Sequence, residues 1–180
     1  MLIRNILKKA AAMLGEDIDF DTVTDGAADF LQCADTVYNE ITSEYFPLLF
    51  EEDIYFDYDG RAAMSGFSKK MLYAVSVKFS GANVKYAVFP SDIYAESMRS
   101  VYLTVRYAYV PAPIESADYI TESDFGITER TFALGVACEY CLMKGMFNES
   151  LVYDKRYKDS LKSAARKHGE IKVKGRNWLR

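Results

Sequence analysis

The spacing of apolar residues changes twice along this chain, and that change limits the folds open to it. From Ile3 to Leu14 they recur at three-and-four spacing, typical of an amphipathic helix that ends at Gly15. From about Phe50 the spacing becomes two, and near Ile127 the helical spacing returns. We therefore expect helices before and after a β segment.

The helical stretches predict four helices, of which the second has Thr22 or Thr24 as a candidate N-cap. Gly145 is placed to end the third, and Asn148 is expected to cap the fourth. The short connection between these two predicts an antiparallel hairpin. The predicted helices cover residues 2–14, 22–46, 127–144 and 148–168.

The middle of the chain has the alternation of β-strands. Alternate apolar residues from Tyr73 to Phe79, a turn at 81–83 and renewed alternation over 84–88 predict a hairpin. A further strand is predicted at 101–109, and Ile54 with Phe56 suggests one more. We expect a small antiparallel sheet of about four strands.

Together these patterns predict an α+β fold. It would be mainly a helical bundle of about four helices, with an antiparallel β insertion over about 50–112 between the second and third helices. Residues 1–169 would form a single domain, followed by an extended C-terminal tail at 170–180.

Composition and charge exclude some classes of function. The chain has 180 residues, half of them hydrophobic, and can bury one core. The net charge of -4 argues against a protein whose main task is to bind nucleic acid. No apolar run approaches the roughly 20 residues of a membrane span, and the start is not of signal-peptide type. With three cysteines, we expect a soluble protein made in a reducing cytoplasm.

The sequence offers little catalytic or metal-binding chemistry. Cys138 and Cys141 are spaced like a redox or zinc pair, but zinc needs four ligands and His168 is the only histidine in the sequence. We interpret both cysteines as core residues and predict no catalytic residues, cofactor or metal. Paired carboxylates could still serve an enzyme without histidine.

Acidic residues cluster at Glu51–Asp53 and at Asp57–Gly60. The second cluster resembles the start of a calcium loop, but the later oxygen ligands of that pattern are missing. We interpret it as a solvated turn. The functional alternative is an electrostatic surface, such as the lining of a channel.

The C-terminal tail has an alternating pattern and the single tryptophan. An extended segment around Ile171, Lys172 and Val173 could add a strand to the sheet edge of another protein, with Trp178 as a buried anchor. The alternative is a frayed terminus.

Four segments carry a resemblance to a known family. In their order and residue types they resemble the head-to-tail adaptor (connector, head completion) proteins of tailed bacteriophages. The segments are Ala12–Glu16, Cys33–Ile41, Gly135–Leu142 and Asp154–Asp159.

The resemblance implies a non-enzymatic structural protein of the virion neck, made in the cytoplasm of the bacterial host. Such proteins form a homo-oligomeric ring, here a 12-mer, that docks on the dodecameric portal protein and extends the DNA channel towards stopper or tail proteins. DNA would pass through without sequence-specific binding, and no membrane is involved. The tail would contact the portal, through Ile171, Lys172, Val173, Arg176 and Trp178.

Two alternatives stay open. One is a stopper or tail-completion protein of the same neck region. The other is an unrecognised enzyme or regulatory binding module of a prophage.

Overall fold

The computed structural model describes residues 1–21, 24–121 and 126–167. Contacts divide the chain into two compact units. The helical unit comprises Met1–Tyr38 and the chain from Ile114 onward, and the sheet unit comprises Asn39–Pro113.

The helical unit is built from helices that lie at both ends of the chain. Within the described residues they are α1 (Ile3–Leu14), α2 (Asp25–Glu40, whose last two residues belong to the sheet unit), α3 (Glu129–Met143) and α4 (Phe147–Lys167). The two segments of the helical unit are joined by main-chain hydrogen bonds, since the Ile3 N–H donates to the Tyr119 carbonyl over 3.0 Å.

Local sequence explains where these helices begin and end. Gly15 follows α1 in the left-handed conformation, with φ of 73°. The Thr24 hydroxyl accepts from the Ala27 N–H at 3.2 Å, which confirms Thr24 as a cap of α2. Thr128 caps α3 in the same way. The prediction that Asn148 caps the last helix is wrong, because α4 begins at Phe147 and includes Asn148.

Helix α3 is the centre of the helical unit. Ten of its fifteen residues are buried, whereas α4 buries a single stripe that includes Tyr157 and Leu161. The Tyr153 hydroxyl also donates to the Met13 carbonyl over 2.8 Å and ties α4 to the end of α1.

The sheet unit begins with a π-helical turn at Ile41–Tyr45 and contains two antiparallel sheets. Its described strands are β1 (Leu49–Phe56), β2 (Arg61–Ala63), β3 (Met71–Phe79), β4 (Ala82–Asn83), β5 (Tyr86–Val88), β6 (Asp92–Ala95) and β7 (Val101–Tyr109). The four-stranded sheet has the order β1-β7-β3-β4, and the three-stranded sheet has the order β2-β6-β5.

The larger sheet buries one face. In β7 the residues Leu103, Val105 and Tyr107 are buried, and Ile54 lies beside Leu103 on β1. In β7 the alternation seen in the sequence therefore marks the core face, as expected for an antiparallel sheet with one solvated face. In β3 it does not, because Tyr73, Val75 and Phe79 are exposed and the register of this strand is irregular.

The predicted fold class is wrong. The described residues form helices that bracket a sheet unit with seven strands in two sheets, not a mainly helical bundle with a small insertion. The second sheet escaped prediction because β2 and β6 have only three or four residues, too few for alternation to be recognisable, and because β5 was assigned to a hairpin with β3.

The predicted hairpin is also corrected. The chain turns at Ser80 and Gly81, both with positive φ, as a two-residue hairpin loop requires. Only Ala82–Asn83 then pairs with β3, and Tyr86–Val88 pairs instead with β6 in the other sheet.

Candidate interaction surfaces

The residues predicted to contact a portal belong to a segment outside the described residues. Ile171, Lys172, Val173, Arg176 and Trp178 lie outside the described residues, as does His168. The tail contact stays a prediction.

The cysteines are buried in the helical unit. Cys33, Cys138 and Cys141 are free thiols. Burial, reinforced by acidic neighbours, raises the pKa of Cys33 to about 12 and that of Cys138 to about 11. Cys138 and Cys141 are both buried, which confirms their interpretation as core residues.

The described residues contain no group of three or more His, Cys, Asp or Glu side chains that could hold a metal ion. The Asp57–Gly60 cluster is a hydrogen-bonded turn. Asp57 Oδ1 accepts hydrogen bonds from the N–H groups of Asp59 at 2.9 Å and Arg61 at 2.8 Å. These bonds stabilise the turn. Its interpretation as a turn is therefore confirmed.

Glu52 belongs to a hydrogen-bonded cluster on the inner side of the larger sheet. Its carboxylate accepts from the Ser68 N–H at 3.0 Å, the Ser68 hydroxyl and the Tyr107 hydroxyl. Burial opposes ionisation of Glu52, but these donors outweigh it and hold the pKa of Glu52 below its ordinary value. Burial and the Glu52 hydrogen bond raise the pKa of Tyr107. The cluster anchors the segment that contains Ser68 to two strands.

A test of this cluster is the pH dependence of stability. Because the pKa of Glu52 is lowered by folding, its contribution is present above the unfolded pKa of about 4.3 and is lost as the pH falls through the folded value. Glu52→Gln should lower the free energy of unfolding at pH 7 by about 1 kcal/mol. It should also reduce the loss of stability between pH 7 and pH 3 in urea titrations.

The control for this prediction is Glu51→Gln, at the neighbouring exposed position on the opposite face of β1. It should leave the free energy of unfolding almost unchanged at pH 7. An unaltered pH dependence in the Glu52 variant would contradict the assignment.

A cavity of about 400 Å³ lies in the helical unit. Phe20, Ala27 and Leu31 provide apolar lining, and the Arg4 guanidinium is neutralised by Asp21 and by Asp118 at 2.8 Å. The described lining has no histidine, cysteine or lysine.

The helical unit exposes apolar side chains where α3 is joined to α4. We call this the helical apolar surface. Its five residues are between 42% and 68% exposed, and they are Leu142, Met143, Phe147, Leu151 and Val152. Within α4, Phe147 and Leu151 are one turn apart, and both side chains are largely exposed whereas Tyr157 further along the helix is buried. Exposed apolar groups clustered in this way are typical of an interaction site.

The sheet unit exposes a second surface, on the outer face of the larger sheet. Tyr55 and Tyr102 are paired in register with ring centroids 5.3 Å apart, and they are 50% and 66% exposed. Leu49 and Tyr73 lie on either side of Ala108 in the same sheet and are also exposed. We call these four residues the outer sheet surface. Tyrosine is enriched in protein interfaces because it combines a large apolar ring with a polar end.

Neither surface was singled out by sequence reasoning. For the helical apolar surface, the signal in the sequence was Leu151 and Val152, which do not fit the spacing of Tyr157 and Leu161. For the outer sheet surface, the signal was Tyr102, which alternates with the buried residues of its strand and so points to the opposite face.

No family model matches the sequence, and no curated protein is significantly similar to it. None of the described helices is long and apolar enough to cross a membrane.

Proposed function

We propose that this protein is a head-to-tail adaptor of a tailed bacteriophage, a structural protein that forms a ring beneath the portal and extends the DNA channel. The observation that carries the proposal is that each unit has its own exposed apolar surface. The resemblance of the four sequence segments supplies the family.

A closed ring requires two different contact surfaces on every subunit. In such a head-to-tail arrangement, one surface of each copy binds a different surface of the next. The helical apolar surface and the outer sheet surface are suitable because they differ in residue type and belong to different units. Assembly would bury side chains such as Leu151 and Tyr102, which the single chain leaves exposed.

The net charge of the chain is consistent with a ring through which DNA moves without binding to the protein. A net charge of -4 gives an acidic subunit, and like charges repel the phosphate backbone. The function would then be passage of DNA and connection of the head to the tail.

The direct test mixes the purified full chain with its cognate portal protein and measures the complex by native mass spectrometry. We expect one ring of adaptor subunits whose number matches that of the portal. Failure to bind a portal, combined with binding to a preassembled adaptor-portal complex, would contradict the adaptor role and assign the protein to the stopper position.

The role of the helical apolar surface is tested by Leu151→Gln combined with Val152→Gln. Both side chains are exposed, so the free energy of unfolding should change by less than about 0.5 kcal/mol. The affinity of ring formation should fall by about tenfold or more, since truncating interface residues commonly costs over 1 kcal/mol.

The matched control is Lys162→Gln, at an exposed position further along α4. It should preserve the ring. Equal ring formation by the control and the double variant would remove the helical apolar surface from the contact.

The predicted portal contact of the tail is tested by Trp178→Ala in the full chain. Loss of a buried tryptophan anchor should weaken portal binding by about thirtyfold or more. Unchanged affinity in a portal-binding titration would contradict the tail contact and leave the ring proposal intact.

A further inference from the structure

Strand β1 lies at the edge of the larger sheet. The strand order β1-β7-β3-β4 places it at one end, and among the described strands only β7 pairs with it. It has eight residues, Leu49–Phe56. A strand of this length, with one edge to which no described strand is hydrogen-bonded, is a ready acceptor for another extended segment.

The exposed face of β1 selects against a second copy of the same strand. Glu51 and Asp53 stand two residues apart on this face and are both exposed. On the β7 side Glu51 is in register with Arg106 and Asp53 accepts from the Thr104 hydroxyl at 2.6 Å, so an added strand would meet the carboxylates from the side away from β7. Like charges placed opposite each other destabilise a pair of strands, whereas opposite charges stabilise it. The edge therefore favours a strand with cations at every second position.

The C-terminal segment of this chain has that pattern. Lys172 and Lys174 alternate with Ile171 and Val173. If the segment is extended, successive side chains point to opposite faces, which places both lysines on one side and both apolar residues on the other. The lysines then have the same two-residue spacing as the carboxylates of β1.

We propose that residues 171–174 of one copy add a strand to the β1 edge of a neighbouring copy, with Lys172 and Lys174 beside Glu51 and Asp53. The inference deepens the proposed function and rests on its ring, because donor and acceptor on one chain form a head-to-tail contact that a ring can close. Main-chain hydrogen bonds supply affinity and the charges fix the register. This assigns Ile171, Lys172 and Val173 to the neighbouring copy in place of the portal contact predicted above, and leaves Arg176 and Trp178, beyond this strand, to contact the portal.

The first experiment reverses charges and measures ring formation on the portal by native mass spectrometry. The edge variant carries Glu51→Lys and Asp53→Lys, and the tail variant carries Lys172→Glu and Lys174→Glu. Each alone should form rings with an affinity lower by about tenfold or more. The control, Glu44→Lys with Glu96→Lys, makes the same charge change at exposed positions of the sheet unit outside β1 and should assemble normally.

Mixing the two variants identifies the source of the added strand. In an equimolar mixture every edge can meet a tail of opposite charge from the next copy, so rings that alternate the two variants should form. If only a single chain carrying all four substitutions is rescued, the strand comes from the same copy and the inference is overturned. It is also overturned if both variants assemble like the control.

The second experiment is independent of the ring. A synthetic peptide of residues 168–180 is added to the full chain carrying Val173→Pro, whose own tail cannot pair normally because proline lacks the N–H donor. Hydrogen exchange in Leu49–Phe56 should slow by about tenfold, and a peptide with both lysines replaced by glutamate should have no effect.

These outcomes separate the two proposals. If β1 is protected by the peptide but the wild-type chain forms no ring on a portal, the adaptor proposal fails and strand addition stands. If the ring forms but the peptide gives no protection, strand addition fails and the adaptor proposal stands.

Discussion

Gly60→Ala should lower the free energy of unfolding of the sheet unit by about 3 kcal/mol. Gly60 has a φ of 76°, a left-handed conformation that costs a residue with a side chain about 1–2 kcal/mol. An added Cβ would also lie 2.6 Å from the Met98 carbonyl oxygen and 2.9 Å from that of Ala95. Because these are main-chain atoms, the clash requires a backbone shift of the kind that costs about 1–3 kcal/mol.

Urea unfolding of the full chain, with hydrogen exchange followed in β6 and β7, measures this effect. The control is Gly81→Ala, at a turn with a φ of 83° and no heavy atom near the added Cβ. It should lose only the conformational cost of about 1–2 kcal/mol. If both substitutions lower the free energy of unfolding by the same amount, the close approach of main-chain atoms at Gly60 does not contribute to stability.

Gly135→Ala should lower the free energy of unfolding of the helical unit by about 2 kcal/mol. Gly135 lies in the middle of α3, where an added Cβ would be 2.7 Å from Val37 Cγ1 on α2 and 3.0 Å from Tyr157 Cε2 on α4. Both neighbours are buried and have little space to move. Overpacking of this kind costs about 1–3 kcal/mol, which exceeds the gain of up to about 1 kcal/mol from replacing glycine in a helix.

Gly26→Ala is the matched control for Gly135. It is also in a helix of the helical unit, and its added Cβ would make an ordinary contact, 3.4 Å from Ile18 Cδ1. The alanine should leave stability unchanged or raise it by up to about 1 kcal/mol. Opposite signs for the two substitutions in thermal and urea unfolding would establish close helix packing at Gly135, and a gain at both would contradict it.

The sequence predicted the parts of the fold in which local pattern and burial agree. Ile3, Ile6, Leu7 and Ala10 are buried on one side of α1, as their spacing indicated. The inward residues of β7 were recognised for the same reason. In a long amphipathic helix or strand, the spacing of the apolar residues indicates which face is buried.

Pairing between distant segments was not predictable in this way. Tyr86–Val88 has the alternation of a hairpin strand, but it pairs with β6 and not with the preceding strand. The interaction surfaces were missed for a related reason. Exposed apolar residues such as Phe147 look like core residues in a sequence, and only the structure shows that they are uncovered.

The helical unit is assembled from two segments of the chain, whereas the sheet unit is continuous between them. During synthesis on the ribosome, all of the sheet unit leaves the exit tunnel before α3 and α4 do, so it can fold while α1 and α2 still lack the partners that bury their apolar sides. A folded sheet unit would shorten the flexible loop between the two segments and reduce the entropy lost when the helical unit closes. Translation order should therefore favour the sheet unit as the first part to fold.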